Sequence, residues 1–275
     1  MSHDLRVPAL LVDHRLASRL ERAEGAANAR FIEARALVEP SRGATWRDVD
    51  GIWALFDGVG SPLTQTFGLG IDRAAEARAL EAVETFFRTR GATVDHEVSP
   101  LARGEPLPLL SARGYVPIEL TDVLCRPLTD ADLAAPAAAV TISSVGPADG
   151  GAWAVAVADG WSEHPEVVPF ALELGAVYPR TDGATCFAAA FEETIAATGV
   201  VAMHDGVALL AGASTRPAFR RRGAQTALLT ARLAHARAAG CDLAMICARP
   251  GSESHRNAER GGFAIAYTRI KWRLT

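Results

Sequence analysis

Apolar and polar positions recur along the chain in two rhythms, and each change of rhythm marks an element. Residues 140–145, "VTISSV", alternate with period two and predict a strand. Helical stretches follow around "GGAWAVAVADGW" and through "PEVVPFALELGAVY". "ATCFAAAFEE" and "TGVVAMHDGVALLAGAST" read as antiparallel strands. The second of these folds back at Asp205-Gly206, because Asp-Gly adopts the positive φ of a tight hairpin turn. From about 224 to 239 the rhythm is helical: Leu228, Leu229, Leu233 and Ala236 share a face, and Gly240 closes the helix. "CDLAMICA" predicts a short buried strand. "SESHRNAERG" predicts a short helix capped by Ser252, with Glu253 in its first turn and Gly261 or Gly262 at its end. "FAIAYTRIKWRL" alternates as a last strand.

The same order of elements is expected earlier, from about 43 to 126, with a helix over 72–90. Short matches set the two stretches side by side. "GIWALFDGVG" from Gly51 parallels "GVVAMHDGVA" from Gly199, 148 residues later. "RTRG" and "RAAG" end at Gly91 and Gly240, and "ARGY" and "RGGF" set Gly114 against Gly262. "GATW" from Gly43 parallels "GATCF" from Gly183 at a shorter offset, which places an insertion or deletion between the two points. Four matches in one order predict two copies of one fold. The junction is expected in "PLTDADLAAPAAA", a stretch without periodicity.

Composition narrows the function classes. The chain has 275 residues, 49% hydrophobic and 22% charged, with a formal net charge of −4. That excludes a disordered acidic tail and a polybasic nucleic-acid binder. No apolar run approaches the roughly 20 residues that span a bilayer, and the first 25 residues lack the unbroken apolar core of a secretion signal. Cys125, Cys186, Cys241 and Cys247 form no C-x-x-C pair, so they are read as reduced thiols of a cytoplasmic protein, with no metal site expected.

The stretch "RPAFRRRGAQT" then stands out, because an acidic chain sets three arginines and a glycine at the mouth of an apolar helix. The first amides of a helix lack internal partners, and the helix dipole adds positive potential there. Glycine lets the backbone approach a phosphate closely. Arg220, Arg221, Arg222, Gly223, Ala224, Gln225 and Thr226 therefore read as a diphosphate cradle. At these residues the chain resembles the GCN5-related N-acetyltransferase superfamily, whose acetyl-CoA loop reads Arg/Gln-x-x-Gly-x-Gly/Ala. Arg220 and Gly223 take its first and fourth positions, and Gln225 stands where Gly or Ala is usual. The resemblance covers about 140–275. It implies acetyl-CoA as cosubstrate, backbone contacts from Ala213 and Thr215 to the pantetheine arm, and a contact from Asn257. Where the first copy would carry the loop it reads "DRAAEA" from Asp72; two acids there repel a diphosphate, and Asp72 is expected to cap the helix.

The fold expected is α/β (α+β), with two acyl-CoA N-acyltransferase-like domains, each a mixed, mostly antiparallel twisted sheet flanked by helices. Residues 1–130 would be a degenerate copy without the loop, and 138–275 the acetyl-CoA-binding copy. The activity implied is direct acetyl transfer to a primary amine of a small molecule or peptide by a monomer or homodimer, with neither nucleic acid nor membrane as partner. The tyrosine that usually protonates the leaving thiolate is replaced by Ala258. Glu163 and His164 are the substitute catalytic candidates. Trp161, Glu163 and His164, in "DGWSEHPE", are the expected substrate-pocket residues. Ser254, His255, Tyr178 and Tyr267 are further hydroxyl or imidazole groups that surface exposure, capping or packing explains as well. Ala258 keeps open a non-catalytic acyl-CoA-binding module, and an incidental arginine turn on an interaction protein is the remaining alternative.

Overall fold

The structure is a computed structural model and describes residues 11–133 and 140–275. The first half runs α1 (His14–Val38), β1 (Thr45–Val49), β2 (Ile52–Phe56), β3 (Gln65–Phe67), α2 (Ala77–Arg88), β4 (Asp95–Val98), α3 (Pro106–Ala112) and β5 (Tyr115–Pro127). The second runs β6 (Thr141–Val145), α4 (Gly150–Asp159), α5 (Val168–Val177), β7 (Ala184–Phe191), β8 (Thr194–His204), β9 (Val207–Thr215), α6 (Ala224–Ala238), β10 (Leu243–Ala248), α7 (Glu253–Arg260) and β11 (Ala264–Leu274). Three strands, a helix, a strand, a short helix and a long last strand recur in both halves. Gly91 and Gly240 follow the equivalent helices α2 and α6, and Gly114 and Gly262 follow α3 and α7, all four with left-handed φ between 69° and 90°. Part of the expected junction, residues 134–139, lies outside the described residues, as do residues 1–10.

The strands form one mixed, mostly antiparallel sheet in the order β1-β2-β3-β4-β11-β5-β10-β9-β8-β7-β6. The two halves have exchanged their last strands. β5, from the first half, pairs antiparallel with β10, and β11, from the second, pairs antiparallel with β4. The two exchanged strands pair with each other at the centre over most of their length. Helices cover both faces. Leu16, Ala17, Leu20 and Ala23 of α1 pack on Val123, Val207, Leu243 and Met245, and α4 and α5 cover β7 and β8 on the same side. α2 and α3 cover the opposite face of the first half, and α6 and α7 that of the second.

Two local expectations are corrected. α1 spans 25 residues where the sequence pattern predicts no element. Its N-cap is Asp13, whose side chain accepts the Leu16 amide at 2.8 Å. Its buried face carries Glu21, Glu24 and Arg35 among the apolar residues, and those charges break the apolar rhythm. α2 begins at Ala77 rather than near Asp72, and no side chain caps it. Asp72 instead accepts Arg22 Nε at 2.8 Å.

A crevice beside the first turn of α6

β9 and β10 are parallel and paired only at one end, with Leu243, Ala244 and Met245 opposite Val207, Ala208 and Leu209. Beyond that point they part, and residues 211–215 face 246–248 across an unbridged gap. A bulge opposite Thr198 and Val200 leaves Ala213 out of the β8 ladder, and Ala213 is exposed. The cation that holds the bulge escaped the sequence reading. Arg232, buried on α6, donates to the carbonyls of Val200 at 3.2 Å and Ala211 at 3.3 Å. Burial without a carboxylate partner pulls its pKa down to about 10.

The gap opens toward the arginine turn. Arg221 and Gly223 both have left-handed φ, 60° and 83°, and α6 starts directly after Gly223 with no side-chain cap. Among the described residues, none of the backbone N–H groups of residues 221–226 has a hydrogen-bond acceptor. Successive amides turned toward one side by αR–αL geometry form an anion-binding concavity, and the helix dipole adds to it. A Cβ built on Gly223 would meet nothing within 4 Å, so the hollow is not plugged there. Gln225 does not fill it either: its Nε2 reaches back to the Ser214 carbonyl at 2.9 Å and the Thr215 hydroxyl at 2.8 Å, tying the helix start to the end of β9. Two other hollows, of about 330 and 460 Å³, border Thr45 to Arg90 and Ala34 to Arg180, and neither touches this loop.

The arginines are held in different ways. Arg220 is ion-paired with Glu163 and donates to the Gly160 carbonyl at 3.1 Å. The Arg222 guanidinium carbon stands over the Phe191 ring, 4.0 Å from its centroid, and Phe191 stacks on Phe219. Arg221 has no hydrogen-bond or ion-pair partner among the described residues. Thr226 is exposed on the first turn, and Ala224 is buried beneath it. Trp161, Glu163 and His164 occupy the turn after α4. Glu163 is therefore brought to the arginine loop, while His164 is largely exposed beside Glu166 at 3.6 Å. Trp161, 40% exposed, is not a core residue.

α7 closes the other side of β10. Ser252 caps it by accepting the His255 amide, as its sequence predicts. Asn257 is exposed, and its side-chain oxygen accepts from Arg260 rather than facing the loop amides. Ala258 is 1% exposed inside the core, so α7 presents no hydroxyl at that position. His255 Nδ1 accepts the Gly251 amide, and its Nε2 stands 3.7 Å from Asp122. Tyr267 lies on the opposite face and donates to Glu21 at 2.8 Å. Tyr178 packs on Phe31, and burial pushes its pKa up to about 12.

The equivalent place in the first half is shut. The Arg103 amide donates to the Gly70 carbonyl at 2.7 Å, and the Ala75 amide donates to the Arg103 carbonyl at 2.9 Å. A Cβ on Gly104 would stand 2.4 Å from the Ala75 nitrogen. The loop at 102–104 therefore fills the space that stays open beside α6.

Residues 155–263 match the sequence model described as the Acetyltransferase (GNAT) family. Among solved structures, the chain is similar to a GCN5-related N-acetyltransferase from Kribbella flavida. Identity is 19%, TM-score 0.64, and the match covers 94% of this chain and 95% of that one. It is also similar to a tandem GNAT protein from the clavulanic acid biosynthesis pathway, at 17% identity and TM-score 0.58, covering 81% and 77%. A GCN5-related N-acetyltransferase from Sphaerobacter thermophilus matches at 18% identity and TM-score 0.53, covering 76% and 71%. At these identities the likeness shows the fold. No protein of curated function matches the sequence. No described helix is long and apolar enough to cross a membrane.

Proposed function

We propose, from the match of residues 155–263 to the Acetyltransferase (GNAT) family model, that the protein transfers an acetyl group from acetyl-CoA directly to a primary amine of a small molecule or peptide. One observation carries the reading: six consecutive unpartnered amides, at residues 221–226, stand around an open Gly223 beside two parted strands. The amides and Arg221 take the diphosphate of acetyl-CoA, and Arg220 joins them by exchanging Glu163 for a phosphate oxygen. The pantetheine arm runs along residues 211–215, where Ala213 and Thr215 offer backbone groups, and Asn257 contacts the cofactor from α7. Trp161, Glu163 and His164 border the acceptor's approach.

In this reading residues 138–275 are the acetyl-CoA-binding copy, and residues 1–130 are a degenerate copy without a phosphate loop. The recurring element order and the closed loop at 102–104 support that division. The setting proposed is the cytoplasm, which the four free thiols support. The partners proposed are the acetyl donor and the amine, with no nucleic acid or membrane, for a monomer or homodimer.

Isothermal titration of acetyl-CoA into the full chain and into Arg222→Glu tests the cradle, and free-thiol release across an amine panel tests transfer. Saturable binding that the charge reversal weakens, together with amine-dependent thiol release, supports the reading; unchanged affinity in the variant refutes it. The buried Ala258 favours one second reading, a non-catalytic acyl-CoA-binding module, for which binding would persist with no amine releasing thiol.

A further inference from the structure

The two halves differ at one outer place, and the difference leaves a groove in the first. In the second half β6 runs antiparallel along the outer edge of β7, with Thr141 opposite Ala190 and Val145 opposite Cys186. Ile142 of β6 packs there on the core beneath α6. β1 and α2 are the counterparts of β7 and α6, but among the described residues no strand lies outside β1, which pairs with β2 alone. A hollow of about 330 Å³ stands between β1 and the end of α2, with Thr45 and Arg47 on one wall and Thr85, Phe86, Thr89 and Arg90 on the other. Asp50 and Gly51 have left-handed φ, 54° and 87°, so β1 and β2 meet in a two-residue turn that closes on the pair Val49 and Ile52. Alternation from that pair directs the N–H and C=O of Trp46 and Asp48 outward, and among the described residues nothing bonds to them. The hollow is also unneutralised. Arg47 is exposed and has no hydrogen-bond or ion-pair partner among the described residues. Arg90 lies over the Phe86 ring, 4.0 Å from its centroid, and donates to the Phe86 carbonyl at 2.7 Å, but meets no carboxylate. No Asp or Glu is among the residues that line the hollow. The hydroxyls of Thr85 and Thr89 donate to the carbonyls of Glu81 and Thr85, so the free donors are guanidinium groups.

An occupant that suits this place is an extended backbone, because the open edge offers alternate N–H and C=O groups. It is also acidic, because two cations border the hollow without a counterion. We propose that the first half binds an acidic, extended segment of a partner protein, which adds to β1 antiparallel as β6 adds to β7. Trp46 and Asp48 supply the backbone bonds. The segment's residue opposite Arg47 shares the Arg47 face of the sheet, so an Asp or Glu there enters the hollow between Arg47 and Arg90. Its neighbours in the segment fall on the α1 side beside Trp46, which stacks on Trp53 with ring centroids 5.1 Å apart, and apolar side chains suit that face. A second copy of this chain fits less well: the two-fold pairing that sets Trp46 against Asp48 also sets Arg47 against its own counterpart. The surface lies outside the arginine loop and its crevice, and its use does not depend on acetyl transfer.

The test uses the full chain and a blocked, rhodamine-labelled peptide of about seven residues that alternates valine with glutamate, the length of an ordinary strand. One matched peptide carries lysine for glutamate, and another carries proline for the central valine, which removes an amide that the ladder needs. In fluorescence anisotropy the glutamate peptide is expected to bind, and the other two to bind about tenfold more weakly or not at all. Arg47→Glu and Arg90→Glu are each expected to weaken the glutamate peptide about tenfold, the scale of an exposed attraction turned into a repulsion. Hydrogen exchange followed by NMR is expected to slow at the amides of Trp46 and Asp48 when that peptide binds. Arg47 is exposed and unpartnered, so Arg47→Glu decides the matter should Arg90→Glu misfold. No binding, equal binding of the three peptides, wild-type affinity in Arg47→Glu, or unchanged exchange at Trp46 and Asp48 overturns the proposal. Slow exchange at these two amides without peptide also overturns it: where it rises with protein concentration a second copy covers the edge, and where it does not the chain covers the edge itself.

Discussion

Replacing Gly223 separates the backbone's part in the cradle from the charge's part. Gly223 has φ 83° and leads directly into α6, and a Cβ there would meet open space. Gly223→Ala therefore costs only the left-handed strain of a residue with a Cβ, about 1–2 kcal/mol of folding stability, and leaves the hollow nearly unchanged. Gly223→Glu carries the same strain and adds a carboxylate among the free amides. At about 6 Å and an effective dielectric near 20, one such charge opposes one phosphate charge by about 3 kcal/mol, or about 100-fold in affinity. The assay is calorimetric titration of acetyl-CoA into both variants, with thermal melts to confirm equal folding. Gly223→Ala is expected to bind within a few-fold of wild type, and Gly223→Glu about 100-fold more weakly than Gly223→Ala, with the gap narrowing as salt is raised. Equal affinities for the two variants would refute the placement of the diphosphate at this turn.

Other perturbations reach other parts of the molecule. Asp57 and Arg35 form a buried pair at 2.9 Å, and Asp57→Ala leaves Arg35 buried without its main counterion; urea unfolding is expected to show a loss of about 3–5 kcal/mol. Glu21 is protonated in the fold up to about pH 7 but ionises near 4.5 when unfolded, so stability is fully present below pH 4.5 and is lost as pH rises to about 7. Glu21→Gln is accordingly expected to be more stable than wild type at pH 8, on the order of 3 kcal/mol, and nearly equal to it at pH 4 in thermal or urea unfolding. His96 is buried, and burial lowers its pKa to about 4, so wild-type stability is also expected to fall as pH drops from about 6.5 to 4, with less loss in a well-folded His96→Gln. Because β5 and β11 are exchanged, residues 1–133 and 134–275 expressed apart are expected to aggregate, whereas coexpression is expected to yield a copurifying complex; two soluble, monomeric halves would contradict the pairing.

What the sequence made legible follows from local chemistry. The glycines that pair across the repeat sit where the chain must turn with positive φ after a helix, so Gly91 against Gly240 and Gly114 against Gly262 report equivalent turns without any knowledge of the sheet. The arginine loop was legible because free helix amides and glycine have a local signature. α1 was not, because Glu21, Glu24 and Arg35 interrupt its buried face, and what makes them tolerable there, Arg269 and Asp57, comes from distant strands and was invisible to a window of neighbours. Arg232 was hidden for the same reason: its partners are carbonyls of β8 and β9, not a residue type that a pattern can anticipate. The strand exchange lay furthest from reach, since β5 and β11 have the alternation of any last strand, and nothing local says which half each will join.

That exchange explains how a half without a cradle can still belong to the site. β10 forms one wall of the crevice, and past Met245 it is no longer paired with β9; Ile246, Cys247 and Ala248 are paired only on the other side, with Leu124, Val123 and Asp122 of β5. The first half therefore fixes how wide the gap stands. It also lays α1 across the back of the sheet, where Glu24 meets Cys247 and Arg269, and Arg269 itself sits on the strand that the second half has lent to the first. That residues 72–76 carry no run of arginines leaves each of these contributions intact. In the proposed reading the two halves are thus unequal in a specific sense: residues 138–275 carry the turn that would take the diphosphate, and residues 1–130 carry the strand and helix that shape the gap behind it.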